Sequence, residues 1–377
     1  MDQINSHWIA PTEFPDLSDR EKIAIDLETC DPGLMKDGPG WPKKLGAVIG
    51  IAIAANGFKA YYPIAHEGGG NMDSKKVIKY IRSLCENEKL DKIFHNAQYD
   101  IGWLSVLDIE VKGRIHDTMV AMALIDENRF SYTLNSISFD YLGEYKNEAK
   151  LKEAALAFGV DPKSEMYKLP ATFVGEYAEE DARLTLKLHE KLAWEIKKDN
   201  LDTIYDIECR LIRVIFNMTK KGVRFNIDKV MTLNDKFRNK EKKILKRVKD
   251  LTNQNVEIWA ASSISKAFDA LNLPYERTVK TEAPSFTKMF LTDHPHELPR
   301  LIMQARELNK LRGTFLQGLV KHNSNGRIHA HINQIRSDSG GTVTGRFSYN
   351  HPNLQQIPSR GQFAQEIRKL FIPEMGE

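Results

Sequence analysis

Strand-like segments crowd into the part of the chain before residue 100 and nearly vanish after about residue 200, where long helical patterns take over. That uneven distribution constrains the architecture more than any single motif. "KIAIDLE" and "GAVIGIAIA" read as β-strands, joined by the Gly- and Pro-rich loop "DPGLMKDGPGWP", and "KAYYPIAH" reads as a third strand. "SKKVIKYIRSLCEN" has helical periodicity, "DKIFHN" reads as a short strand, and "AQYDIGWLSVLD" as a helix. "HDTMVAMALID", "TLNSISFDYLG" and "VGEYAEEDARLTLKLHEKLAWEIKKDN" continue as helices. The expected fold class is α/β (α+β), a mixed sheet flanked by helices and followed by a mainly helical region.

A boundary is expected near Lys198 to Leu201. Beyond it, Leu201 to Lys221 reads as a helix closed by Gly222. "KFRNKEKKILKRVKD" concentrates cations while Leu233, Phe237, Ile244, Val248 and Leu251 recur at helical spacing. This is either the solvated face of an amphipathic helix or a helix laid along a phosphate backbone. "SSISKAFDALN" and "ELPRLIMQARELNKLRGTFLQGLVKH" read as further helices, and "RIHAHINQI" as a strand leading into the Gly- and Thr-rich "SDSGGTVTGRFSYNHPNLQQIP". At 377 residues, two or three structural units are expected.

Composition narrows the function classes. The chain is 41% hydrophobic and 28% charged, as folded soluble proteins are, and no apolar run approaches membrane-spanning length, so no membrane partner is expected. "MDQINSHWIAPTEF" lacks the basic and apolar regions of a secretory leader, and the expected compartment is the cytoplasm. Cys30, Cys85 and Cys209 are odd in number and scattered, which indicates neither a disulfide framework nor a zinc site. A net charge of +3 is too small to prove a polyanionic partner.

The candidate chemistry begins in "IAIDLET". Residues two apart on a strand point to one face, so Asp26 and Glu28 converge, and paired hard oxygen ligands suit a divalent cation. In "FHNAQYDIGWL", Asn96 and Asp100 stand at i and i+4; in "EYAEEDARL", Tyr177 and Asp181 have the same spacing and share a helix face.

"DLE", "HNAQYD" and "YAEED", in this order, resemble the three motifs of the DEDD exonucleases, specifically the branch with tyrosine in the third motif. "HDTMVAMALID" and "YTLNSISFDYLG" resemble connecting helices of the 3′–5′ exonuclease domain of family A DNA polymerases. The resemblance implies a ribonuclease H-like domain over residues 1–198 that hydrolyses phosphodiesters with two divalent ions. Asp26 would bridge them, Glu28 and Asp181 would complete one, and Asp100 would anchor the other; Tyr177 would position the attacking water. Mg²⁺ is the expected ion, and Mn²⁺ would also fit.

The second half resembles the thumb (199–325) and the beginning of the palm (326–377) of the same family, especially phage members. "TVTGRFSYNHPNLQQIPSR" is close to the motif T-G-R-x-S-x-x-x-P-N-L-Q-x-I-P. By resemblance, Arg346 would reach the minor groove at the primer terminus, where acceptors common to all base pairs permit a check of pair shape. Asn353, Gln355 and Gln356 would add hydrogen bonds to DNA, Asn96 would be a further DNA-binding residue, Lys310 and Arg327 would contact phosphates, and the partners would be a primer–template and a single-stranded 3′ end. The sequence stops before the places where the family carries its polymerase aspartates and its nucleotide-binding fingers helix. The expected activity is therefore 3′–5′ proofreading on a primer–template, with dNTPs used only together with a C-terminal polymerase half. A natural split polymerase, a truncated product and a partial sequence all remain open. If the chain is phage-encoded, its site of action would be the bacterial host cell. A free-standing exonuclease would have no use for the primer-terminus motif, and an idle DNA-binding subunit would not need all five exonuclease residues.

Overall fold

The computed structural model describes residues 6–338, 340–361 and 363–374; the first five residues, from the stretch read for a secretory leader, and the last three of the expected palm portion lie outside them. The chain forms two compact units. One comprises Met1–Gly222 with His329–Gln355, the other Val223–Ile328 with Gln356–Glu377. The first unit continues past the expected boundary near 198 through one further helix.

The first unit is built on a five-stranded sheet. Its elements are β1 (Lys22–Cys30), the short α1 (Leu34–Asp37), β2 (Ala47–Ala55), β3 (Phe58–Pro63), α2 (Ser74–Cys85), β4 (Asp91–Phe94), α3 (Ala97–Val106), β5 (Ile115–Asp117), α4 (Thr118–Ile125), α5 (Leu134–Leu142), α6 (Ala149–Phe158), α7 (Gly175–Lys198) and α8 (Asp202–Lys221). The strand order is β3-β2-β1-β4-β5. β1 pairs antiparallel with β2 and parallel with β4, and β4 pairs parallel with β5, so the sheet is mixed. β5 lies in the stretch read from sequence as the start of a helix. Three residues are too few to display alternation, and the side chain of Asp117 then caps α4.

Strand alternation divides β1 between two cores. Ile23, Ile25 and Leu27 join the larger apolar cluster, with Ile51 and Ile53 of β2 and residues of α2, α3, α4 and α8. Ala24 faces the other way with Ala52, Ala54 and Tyr61, against Ala178, Ala182 and Leu186 of α7. Alanines on both surfaces let α7 lie close on the sheet, and the period of two puts Asp26 and Glu28 on that same side.

The second unit contains β6 (Val223–Arg224), α9 (Ile227–Thr252), α10 (Ala261–Asp269), β7 (Glu276–Arg277), β8 (Pro284–Ser285), α11 (Lys288–Asp293), α12 (Glu297–Lys310), α13 (Gln317–Lys321), β9 (Asn323–Ser324) and β10 (Arg327–Ile328). A π-helical stretch, Leu311–Leu316, joins α12 to α13. The cation-rich segment is α9, amphipathic as its spacing predicts: Val230, Leu233, Phe237, Ile244 and Val248 are buried. "RIHAHINQI" is not one strand. β10 pairs with β6 and β9 in the second unit, whereas β11 (His331–Asn333) pairs with β12 (Ser348–Asn350) in the first. The short α14 (Ala364–Arg368) belongs to the second unit.

Candidate active site and nucleic-acid-facing residues

Asp26 and Glu28 leave β1 on the α7 side of the sheet, and α7 brings Asp181 to meet them. Ligand oxygens of the three carboxylates all lie within 4.8 Å of one another. Asp181 is buried, and Tyr177 stands one helical turn before it. Asp100, in the first turn of α3, is also buried. It is outside this tight triad, yet after burial itself Asp26 is the strongest influence on its ionisation.

Four carboxylates gathered with little water disfavour one another's charge. Burial, and then the neighbouring Asp181, push Asp26 up to about 7. Burial, Asp26 and Asp181 hold Glu28 well above the usual carboxylate range. Asp100 is raised in the same way by burial, Asp26 and Asp117. Burial raises Asp181 as well, against the opposing pull of Lys146.

Lys146 is the functional candidate that the sequence reading missed. It lies in the loop between α5 and α6, and its ammonium donates to Asp181 Oδ2 at 2.8 Å and to the Tyr177 hydroxyl at 2.6 Å. It also sits 4.3 Å from the centre of the Tyr177 ring. Burial works against its charge, but Asp181, Asp26 and Glu28 together outweigh that and raise its pKa. No periodicity signals a lysine in "GEYKNE", because its partners lie 31 and 35 residues away. The second oxygen of Asp181, Oδ1, is buried without a hydrogen-bond partner. Tyr177 also lines a cavity of about 570 Å³ together with Lys59, Tyr145 and Lys150.

Asp117 holds the frame of the site. Its buried carboxylate accepts backbone N–H groups of Asn96 and Ala97, at 3.2 and 2.7 Å, and of Met119 and Val120, at 2.8 and 3.3 Å. It thereby ties the start of α3, which carries Asp100, to the start of α4. Asn96 itself is the residue preceding α3, in left-handed conformation at φ 75° and with its side chain exposed, while Asp100 is buried.

The residues expected to face DNA fall in both units. Arg346, Asn353 and Gln355 belong to the first, and all three are exposed. Their loop is internally braced: Gln355 Nε2 donates to the Phe347 carbonyl at 2.8 Å, Asn353 Oδ1 accepts from the Gln355 N–H, and Thr342 donates to the Arg346 carbonyl. Lys310, Arg327 and Gln356 belong to the second unit. Lys310 is exposed and lines a cavity of about 760 Å³ with Trp259, Lys288, Arg300 and Arg306. Nη2 of Arg327 donates to both carboxylate oxygens of Glu374, at 2.7 and 2.8 Å. Among the described residues, no helix is long and apolar enough to cross a membrane.

Comparison with known proteins places these features in a family. Residues 15–197 match the model described as 3′-5′ exonuclease, and residues 227–377 match that of DNA polymerase family A. The chain is 34% identical to a DNA-directed DNA polymerase of Pseudomonas phage M6, over 99% of this chain and 59% of the relative. It is 29% identical to DNA polymerase DpoZ of Acinetobacter phage SH-Ab 15497, over 97% of this chain and 60% of the relative. Against DNA polymerase I of Pseudomonas aeruginosa it is 27% identical, over 96% and 39%. The POL domain of Pol1 from M. smegmatis, solved with DNA primer-template and dNTP, superposes with a TM-score of 0.69 at 18% identity, covering 94% of this chain and 55% of that one. The chain thus spans about three-fifths of the phage relatives it matches. With its exonuclease motifs on one sheet-and-helix site and its second half matched to the polymerase domain, the chain belongs to family A of the DNA polymerases.

Proposed function

We propose that the first unit removes nucleotides from the 3′ end of DNA by metal-dependent phosphodiester hydrolysis, as the proofreading half of a phage-type replicative polymerase. The observation that carries this reading is the meeting of Asp26, Glu28 and Asp181 within 4.8 Å, with Tyr177 one turn before Asp181 on α7. The donor set fits divalent cations. It is all oxygen, its charge exceeds what Lys146 alone can balance, and Asp181 Oδ1 is buried and unpartnered. Asp26, Glu28 and Asp181 would hold one ion, Asp26 and Asp100 a second, and Mg²⁺ is the cation that such ligands and a phosphate substrate favour, with Mn²⁺ as a substitute. Two such ions supply an activated water and neutralise the charge that develops on the leaving oxygen.

The chain's own groups do the positioning. The Tyr177 hydroxyl accepts from Lys146, so its proton is left for an acceptor on the site side, the Asp181 carboxylate, a water or a phosphate oxygen. Asp117 keeps α3, and with it Asp100, in register with β5.

Residues 199–325 read as the thumb, and residues 326–377 as the beginning of the palm. Arg346, Asn353, Gln355 and Gln356 would lie at the primer terminus, Lys310 and Arg327 against phosphates, and Asn96 beside the single-stranded 3′ end. Primer extension with dNTPs would then require the further polymerase-domain portion that the relatives have, on the same or a second polypeptide, and the work would be done in the cytoplasm of a bacterial host.

The test uses the purified chain, Mg²⁺, all four dNTPs and a labelled mismatched primer–template. Digestion from the 3′ end that is abolished in Asp26→Ala/Glu28→Ala, while DNA binding persists, is the expected result. Digestion retained in that double variant would overturn the site.

A further inference from the structure

We propose that Lys146 is a positioning residue of this site: its ammonium takes one oxygen of Asp181, leaving the other as a one-oxygen metal ligand, and fixes the Tyr177 hydroxyl as a hydrogen-bond donor. The inference rests on the exonuclease reading above and goes beyond it in giving a role to a loop lysine outside the acidic motifs.

The geometry is specific. Asp181 has two carboxylate oxygens, and they are in different states: Oδ2 accepts from Lys146 at 2.8 Å, whereas Oδ1 is buried with no partner. A carboxylate divided in this way offers a cation a single oxygen, where an unpaired one could bind through both. The same ammonium lies 2.6 Å from the Tyr177 oxygen. An ammonium has donors and no acceptor, so the phenol must accept from it, and the phenolic proton is forced to point elsewhere. The site side of the phenol is thereby a donor.

The lysine is held there rather than resting there by chance. Its side chain is only 13% exposed, and its backbone N–H donates to Asn135 Oδ1 at 3.0 Å. Two residues earlier, Glu144 is bound by Arg183 at 2.5 Å and Lys187 at 2.9 Å, both on α7. The helix that carries Tyr177 and Asp181 therefore also anchors the loop that carries Lys146. On the other side of Lys146, Lys150 donates to Glu176 of α7 at 2.8 Å, so loop and helix are tied on each side of the contact and the ammonium stays in register with both partners.

The test compares the full chain with Lys146→Met, Lys146→Arg and Tyr177→Phe, alone and combined. Two readouts are used: Mn²⁺ titration by calorimetry without DNA, and turnover on a 3′-labelled single strand at saturating Mg²⁺. In Lys146→Met, Mn²⁺ should bind severalfold more tightly, because a competing cation is gone, while kcat falls about 100-fold with KM little changed. Lys146→Arg, which keeps a charged donor, should recover at least about a tenth of parental kcat and show parental Mn²⁺ affinity. In the Tyr177→Phe background the Lys146→Met loss should shrink to about threefold or less, since the second change acts through a hydroxyl already removed. Parental turnover in Lys146→Met, or losses that simply multiply, would overturn the proposal while leaving the exonuclease reading intact. A parent chain that neither digests DNA nor binds Mn²⁺ would instead remove the reading on which it rests. If Lys146→Met does not fold, Lys146→Gln takes its place, with the same expected rise in Mn²⁺ affinity and the same loss of coupling.

Discussion

Glu28 lies directly opposite Gly50 across the β1–β2 ladder, and the register of the two strands slips at the next residue, where Thr29 faces Val48. An irregularity at that point turns the end of β1 without disturbing the buried run before it, and such bulges often sit beside active sites. Opposed residues share a face, so a side chain at Gly50 would enter the space next to Glu28. That space is filled by Tyr61, whose hydroxyl would be 2.1 Å from an added Cβ and which bonds His66 Nε2 at 2.7 Å. Gly50→Ala should therefore cost about 1–3 kcal/mol, as overpacking does, and displace Tyr61 towards the acids. Denaturant unfolding checks the first effect and Mn²⁺ titration the second; an unfolding midpoint equal to the parent's would contradict this packing.

Asp26 makes the metal-free chain sensitive to pH. Burial and Asp181 raise its folded pKa to about 7, whereas an unfolded aspartate titrates near about 4. Between those values the folded chain binds more protons than the unfolded one, so the stability contributed by this group is present below about 4 and is lost as pH rises through about 7. Asp26→Asn has no such proton to lose. In EDTA, its unfolding free energy relative to the parent, read from denaturant titrations, should climb from pH 4 to pH 7 and then level off at on the order of a few kcal/mol. A difference that is flat across this range would mean that Asp26 is not charged against its neighbours.

Tyr177→Phe removes one oxygen and keeps the ring over which Lys146 sits. The hydroxyl is no part of the acidic triad, so Mn²⁺ affinity should stay near the parental value. Turnover should fall about 10- to 100-fold, the usual scale for a lost positioning or proton-handling group. Unchanged turnover would take Tyr177 out of the chemistry.

Asp117 separates a framing acid from the acids of the site. Four backbone N–H groups converge on it, and removing the acceptor leaves buried donors unpaired at the starts of two helices. Asp117→Ala should destabilise the first unit by about 3 kcal/mol or more. Asp26→Ala should not, since it relieves repulsion. Thermal unfolding of both variants in EDTA distinguishes these roles, and equal stabilities would refute them.

What could be read from sequence tracks the range of the interactions. The run of β1, the apolar β2 and the helical spacing of α7 are local patterns, so strand, helix and the faces bearing Asp26, Glu28, Tyr177 and Asp181 were legible. Asp117 and β5 were not, because three residues carry no periodicity and the strand exists through its pairing with β4. The break between β10 and β11 was hidden for a related reason: an apolar and polar alternation continues through Arg327–Asn333 while the chain changes partners. Lys146 was the most hidden of all. Its role is defined by α7, more than thirty residues away, and by clamps on Glu144 that no local pattern records.

The ion pair of Arg327 and Glu374 yields a prediction for the second unit. An arginine expected to meet phosphate is engaged by a carboxylate through two short bonds, and each of the two side chains is about three-tenths exposed. A phosphate must compete with that carboxylate for the Nη2 edge of the guanidinium. Glu374→Gln keeps the shape and removes the competing charge. It should raise primer–template affinity severalfold at low salt and steepen the salt dependence by about one counterion, while leaving exonuclease turnover on a single strand unaltered. Arg327→Ala should do the opposite, and in combination with Glu374→Gln should cancel the gain. Binding measured by fluorescence anisotropy over a salt series decides between this and a purely structural pair. In the latter case Glu374→Gln would lower the unfolding temperature and leave both affinity and salt slope where they were.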